Sequence, residues 1–215
     1  MVNERMATHL TPSDDELLRL MMAGDEAAFT ALYRRRQGGV YRFALQMSGS
    51  EAIAEDVTQE VFLALMNDAT RFDASRGSLS SYLYGIARNH VLRRLERERS
   101  YVQIAESAEE RETHTQMWVA EGNPHDDLAR NEIIMRIRQA VLALPEHYRE
   151  VVLLCDLHEM SYVEAANTLG CAVGTVRSRL HRARALLLGK LSANNTNSET
   201  GADAVESFKT ARCFA

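Results

Sequence analysis

Between Gly174 and Lys190 the chain carries five basic residues and no acid. Arg177, Ser178, His181 and Arg182 recur at spacings that gather them on one face of a helix, with Arg179 and Arg184 at its margins. Val176, Leu180, Ala183 and Leu187 form a narrow apolar stripe on the opposite face. Guanidinium and hydroxyl groups arrayed in this way can neutralise phosphates and read base edges. The plainer alternative is a solvated basic face on a bundle helix. The preceding stretch weighs against it. Tyr162, Val163, Ala165, Ala166 and Leu169 give a short helix one apolar face, and Gly170 then breaks the pattern. Two short helices joined by a Gly-containing turn, the second cationic, fit a helix-turn-helix.

Two further groups carry chemistry. On a helix predicted over residues 51–67, Ile53, Val57, Val61, Ala64 and Leu65 occupy one arc, while Asp56, Gln59, Phe62, Leu63 and Met66 occupy the other. Apolar anchors around an acid and an amide suit a partner surface; alternatively, a neighbouring helix covers one or two of them. Downstream, Arg88, Asn89, Arg93, Arg94 and Arg97 project from a predicted helix 81–99 that follows Phe72, Tyr82 and Tyr84. Arginines beside aromatic faces suit single-stranded nucleic acid; alternatively, aromatics near a loop serve packing rather than stacking.

Other chemistries find no support. His158-Glu159 lacks a second His four residues on, and no Gly-rich phosphate loop occurs. Cys155, Cys171 and Cys213 are widely spaced without a CxxC pair, which points to buried thiols rather than a disulfide framework or zinc site. The expectation is a non-enzyme with no catalytic residue, no metal and no cofactor.

The elements that hold these groups follow from composition and charge. The chain has 215 residues, 46% of them hydrophobic, with no apolar run of membrane-spanning length. Its first residues lack the apolar centre of a secretion signal, which implies a soluble cytoplasmic protein without membrane insertion. The net charge of −5 hides segregation. Residues 100–127 hold seven acids against one arginine, whereas 88–99 hold five arginines against two glutamates. The predicted fold is all-α: two small helical domains, 13–99 and 126–190, joined by a flexible acidic linker over 100–125, the second ending in the helix-turn-helix. Residues 1–12 and 191–215 are expected to be disordered. A break at Gly38-Gly39 is predicted within the second helix of the first domain, and Leu128, Ile133, Ile134, Ile137, Val141 and Leu144 are assigned inward in the second domain.

AGDEAAFTALYRRR, AEDVTQEVFLALMND, SYLYGIARNHVLRRL, LPEHYREVVLL and SYVEAANTL with VGTVRSRLHRAR together resemble the bacterial sigma factors, specifically the small extracytoplasmic-function (ECF) group, over residues 13–190. The resemblance implies a factor that binds core RNA polymerase and directs initiation at a promoter subset. DVTQEVF matches the motif that grips a coiled coil of the largest polymerase subunit, with Asp56, Gln59, Glu60, Phe62, Leu63 and Met66 at contacting positions. The second domain would meet the polymerase flap. Phe72, Ser75, Arg76, Ser78, Arg88, Asn89 and Arg93 match positions that capture the opened minus-ten element. Gly174, Thr175, Arg177, Ser178, His181 and Arg182 match positions at the minus-thirty-five element. An anti-sigma partner is also implied. Tyr82 stands where the family usually has Trp, Gly85 where Arg is frequent, and Ala172 at the N-cap of the recognition helix.

Overall fold

The computed structural model describes residues 12–105 and 126–193. Most of the expected disordered termini and of the acidic linker lie outside the described residues, but residues 191–193, expected to be disordered, continue the last helix. Every described element is helical. Helix α1 (Asp14–Met22) starts at Ser13, whose hydroxyl accepts the Glu16 N–H at 3.2 Å. Leu17 and Leu18 are buried, and Asp14 accepts hydrogen bonds from Arg35 and Arg36 of the next helix. That helix, α2 (Glu26–Ser48), runs without interruption through Gly38 and Gly39, contrary to the predicted break. Two interior glycines weaken a helix by about 1 kcal/mol each. Tertiary packing overrides the local preference here, because the Tyr84 hydroxyl lies 2.8 Å from where a Cβ of residue 39 would sit.

Helix α3 (Glu51–Asn67) is capped by Ser50 and buries Ile53, Val57, Val61 and Leu65 of the arc expected from the sequence, while Ala64 of that arc is only half-buried. A single 3-10 turn (Ala69–Arg71) and the loop over 72–78 lead to α4 (Leu79–Ala105), which continues past Arg99, where its end was expected. Leu79, Leu83, Ala87 and Val91 of α4 close the core against α2 and α3.

The second group of helices is built on shorter apolar rows. In α5 (Asp126–Leu142), Ile137, Ala140 and Val141 are buried, as is Leu144 just beyond. Ile133, assigned inward from the sequence, is 40% exposed, a full turn upstream of that row. The Leu128 side chain lies outside the described residues. Pro145 precedes α6 (Glu146–Val152), which widens into a π-helical turn (Leu153–Leu157). Helix α7 (Tyr162–Leu169) opens with a capping box: Ser161 accepts the Glu164 N–H while Glu164 accepts the Ser161 N–H. Only Ala165 and Ala166 are fully buried; Tyr162 and Val163, counted in the apolar face, stand exposed in its first turn. Gly170, at φ +64°, ends α7 in the left-handed conformation that turns the chain into α8 (Val173–Ala193).

The two groups pack on each other. Phe43 of α2 and Tyr84 of α4 meet the His158 ring at centroid distances of 5.8 and 4.5 Å. Arg149 of α6 reaches across to donate to the Met47 carbonyl near the end of α2, and it also donates to the Leu142 and Leu144 carbonyls.

His158 titrates within this seam. Burial, aided by the nearby Arg42 charge, pushes its pKa down to about 4, and its buried Nε2 has no hydrogen-bond partner. The unfolded chain therefore binds the proton first, near the ordinary His value of about 6.5. The native state keeps its full stability above that value and loses it as pH falls toward 4. The expected loss between pH 7 and pH 5 is about 2 kcal/mol. Denaturant titrations of wild type and His158→Leu at both pH values check this: the variant should lose most of that difference.

Candidate partner and nucleic-acid interfaces

The outward face of α3 is built by exclusion. With four apolar residues sealed into the core, Asp56 and Gln59 project into solvent, and Leu63 and Met66 remain 47% and 56% exposed. Phe62 does not join them. It is 3% exposed, packed edge-on against Tyr33 at 4.7 Å, because α2 reaches far enough round α3 to cover that position. The exposed apolar patch is thus Leu63 and Met66 alone. Beside it, Arg94 of α4 folds back and donates to Asp56 and Glu60 at 2.9 Å, while His90 also pairs with Glu60. Desolvation raises the Glu60 pKa, but Arg94 and His90 outweigh it and hold the carboxyl below its ordinary value. Such half-exposed pairs stabilise the fold little. They fix where the carboxylates point.

The loop after α3 and the start of α4 form a cleft of about 260 Å³, lined by Arg71, Phe72, Arg76, Tyr82 and Asn89, among others. Phe72 leans on Tyr82 at 5.6 Å, both half-buried. Tyr84 points the other way, into the seam between the helix groups, and takes no part in the cleft. Ser75 is exposed and donates to Asp73, and that bond lowers the Asp73 pKa. Asn89 and Arg93 face solvent.

The other candidates here are engaged by the second helix group. Arg88 Nε donates to Glu150 at 2.8 Å. Ser78 donates to Glu164 at 3.0 Å, and the Asn167 amide donates to the Arg76 carbonyl at 2.9 Å. Residue spacing did not single out Glu150, Glu164 or Asn167. One signal was available for Glu164, which stands three residues after Ser161 as in any capping box. Glu150 stands beside Arg149, just before the apolar run that begins at Val151, and nothing in its spacing marks it.

Helix α8 matches its sequence pattern closely. Val176, Leu180, Ala183 and Leu187 are buried, and Arg177, Ser178, His181 and Arg182 are exposed. Gly174 and Thr175 lie in its first turn, and Ser178 donates to the Thr175 carbonyl at 3.0 Å. Arg177 sits over the Tyr162 ring, 5.8 Å from its centroid, so the two helices of the motif meet through a cation–π contact. Arg184, at the margin of the basic face and still exposed, bends over to Asp156, a 5% exposed carboxylate, and donates through both Nε and Nη2. That fork anchors α8 to the π-helical turn and leaves the other cations facing out.

Comparison with known proteins assigns both halves. Residues 32–101 match the family model for sigma-70 region 2, and residues 134–187 match that for sigma-70 region 4. The chain is 31% identical to the ECF RNA polymerase sigma factor SigW of Bacillus subtilis, over 81% of this chain and 94% of that one. It is 34% identical to the ECF RNA polymerase sigma factor SigM of Mycobacterium tuberculosis, over 86% and 87% respectively. Among solved structures, CnrH in complex with the cytosolic domain of CnrY is similar with a TM-score of 0.61 at 25% identity, covering 85% of this chain and 99% of that one. RpoE in complex with the anti-sigma factor NepR from Bartonella quintana shares the fold, with a TM-score of 0.63 at 24% identity, over 76% of this chain and 96% of that one.

The difference between Phe62 and its exposed neighbours is measurable. Phe62→Ala should cost about 3 kcal/mol of stability, as expected for a truncated core aromatic. Met66→Ala, at a solvent-facing position, should stay within about 0.5 kcal/mol of wild type. Urea titrations of both variants decide it; equal losses would mean that the two residues share one environment.

Proposed function

The chain belongs to the ECF sigma factors of RNA polymerase, which direct promoter-specific initiation through the core enzyme, and from that premise we propose how its surfaces divide the work. Residues 13–99 act as region 2 and residues 126–190 as region 4, joined by 100–125. The α3 face docks on the coiled coil of the largest polymerase subunit. Leu63 and Met66 supply apolar area, Asp56, Gln59 and Glu60 supply register, and Phe62 stiffens the face from beneath. The cleft of Phe72, Ser75, Arg76 and Ser78, continued along α4 by Arg88, Asn89 and Arg93, captures the opened minus-ten strand. Helix α8 enters the major groove at the minus-thirty-five element, with Arg177, Ser178, His181 and Arg182 toward base edges and phosphates and Gly174 and Thr175 at its leading end. Region 4 also meets the polymerase flap. The factor is not itself an enzyme, and it works in the cell interior, where the polymerase is.

The observation that carries this reading is the one-sidedness of α8: four buried apolar residues on one face and an acid-free cationic face on the other. A helix of this kind tolerates a polyphosphate surface and repels nothing on approach. A solitary repressor would need only this helix. It would leave the solvated Leu63 and Met66 face unexplained, and a polymerase subunit covers that face.

An anti-sigma partner fits the same surface. CnrH was solved with the cytosolic domain of CnrY, and RpoE with the anti-sigma factor NepR. A protein that buries Leu63 and Met66 competes directly with polymerase.

Two outcomes follow. Asp56→Arg with Gln59→Ala should abolish co-purification with core polymerase while circular dichroism stays unchanged, since both side chains lie outside the core. Arg177→Ala and Arg182→Ala should each weaken promoter occupancy by holoenzyme, by roughly 1–3 kcal/mol where a bidentate base contact is lost and less for a phosphate contact. Footprinting on wild-type and upstream-scrambled promoters measures this, and an unchanged footprint in both variants would remove α8 from recognition.

A further inference from the structure

One flank of α8 stands open beside the face assigned to DNA. Arg179, Arg182, Leu186 and Lys190, spaced three or four residues apart, share that flank. Leu186 is 40% exposed. Gly189 beside it adds no side chain, and nothing lies within 4 Å of where its Cβ would sit. Arg184 is paired with Asp156 and Arg177 rests on Tyr162, but no ion pair among the described residues engages Arg179, Arg182 or Lys190. An apolar side chain set in a row of cations suits a short acidic segment that carries an apolar anchor. The chain itself supplies one. Helix α8 reaches Ala193, two turns beyond Leu186, and residues 194–215 follow it. From 194 to 208 the sequence holds Glu199, Asp203 and Glu206 and no basic residue, with Val205 and Phe208 among them. Asn194, Asn195, Asn197 and Ser198 are residue types that suit a chain reversal just past the helix end. Leu186 lies about 10 Å back from Ala193 along the helix axis. The stretch from 194 to 208 can span at most about 50 Å, so its length is sufficient. Its polar composition offers Val205 and Phe208 no core of their own.

We propose that residues 199–208 dock on this flank of α8, so that the chain competes with duplex DNA for its own minus-thirty-five surface. This rests on reading α8 as that surface. The three carboxylates stand in for phosphates on Arg179, Arg182 and Lys190, and Val205 and Phe208 cover Leu186. Arg182 cannot serve a carboxylate and a phosphate at once, and the acids repel an incoming duplex, so the two occupants exclude each other. Exposed ion pairs are individually weak and screened by salt. The mask therefore yields to a well-matched promoter while it lowers binding to other sequences.

The test uses the full chain and two variants, Leu186→Ala and Val205→Ala with Phe208→Ala. None of these residues lies in the proposed polymerase or DNA contacts, and no charge changes, so a gain in DNA affinity cannot come from net charge. Hydrogen exchange read by mass spectrometry reports docking, and fluorescence anisotropy with a labelled random-sequence duplex at low salt reports masking. Amides of residues 199–208 should exchange more slowly in wild type than in either variant. Each variant should bind the duplex about five-fold tighter or better. Combining the two should add little, because both remove the same contact. Equal exchange in all three chains would overturn docking, and slower exchange in wild type without a gain in affinity would overturn masking. Protection that disappears on dilution would assign the contact to a second copy and overturn the intramolecular arrangement. Should Leu186→Ala lose helical content, the Val205 and Phe208 variant decides alone. Failure of the underlying reading looks different. Arg177→Ala in the unmasked chain would then leave duplex binding unchanged, removing α8 from DNA contact and the masking with it, while the exchange difference stays.

Discussion

One guanidinium holds two helix ends and a turn in place. Arg149 donates to the carbonyls of Met47, Leu142 and Leu144, that is, to the end of α2, the end of α5 and the turn before α6. The last carbonyls of a helix have no partner within it, and they carry the negative end of its dipole. A buried cation is costly without partners, and burial does lower the Arg149 pKa. Three carbonyl acceptors supply the compensation. The arrangement sets the angle at which α6 leaves α5, and through α6 it sets where Glu150, the π-helical turn and Asp156 come to lie. Asp156 in turn forks onto Arg184 and fixes the register of α8. The orientation of the recognition helix is therefore traceable, through two charged contacts, to a helix end in the other half of the molecule.

The two proposed interfaces are held in different ways. On α3 the charges are preset within the first unit: Arg94 and His90 brace Asp56 and Glu60 while the apolar anchors stay open. On the cleft side the charges are satisfied across units, by residues far away in sequence. A surface braced from within is ready at once. A surface satisfied from outside depends on how the two helix groups pack.

How much of this is legible in sequence depends on the range of the interaction. The arcs of α3 and α8 were legible, because periodicity reports which residues share a face, and Val57, Val61, Val176 and Leu180 obey it. The same method misassigned Phe62, Tyr162, Val163 and Ile133. Periodicity gives the direction of a side chain but not whether a neighbouring helix extends far enough to cover it. The predicted break at Gly38-Gly39 failed for a related reason: local propensity counted the missing side chains as weakness, whereas Tyr84 uses the room they leave. The seam was illegible altogether. Nothing in the spacing of Arg88 or Glu150 indicates that residues so far apart in sequence will pair.

The Gly39–Tyr84 contact links events that look unrelated. Tyr84 touches the backbone of α2 on one side and the His158 ring on the other, so it transmits displacement between them. A methyl group at position 39 would push the phenol toward the second unit and strain the seam without touching a polymerase- or DNA-facing residue. Substitutions at such a site shift how tightly the two halves hold each other while every recognition surface keeps its composition. A comparison confined to recognition residues would score two such variants as identical.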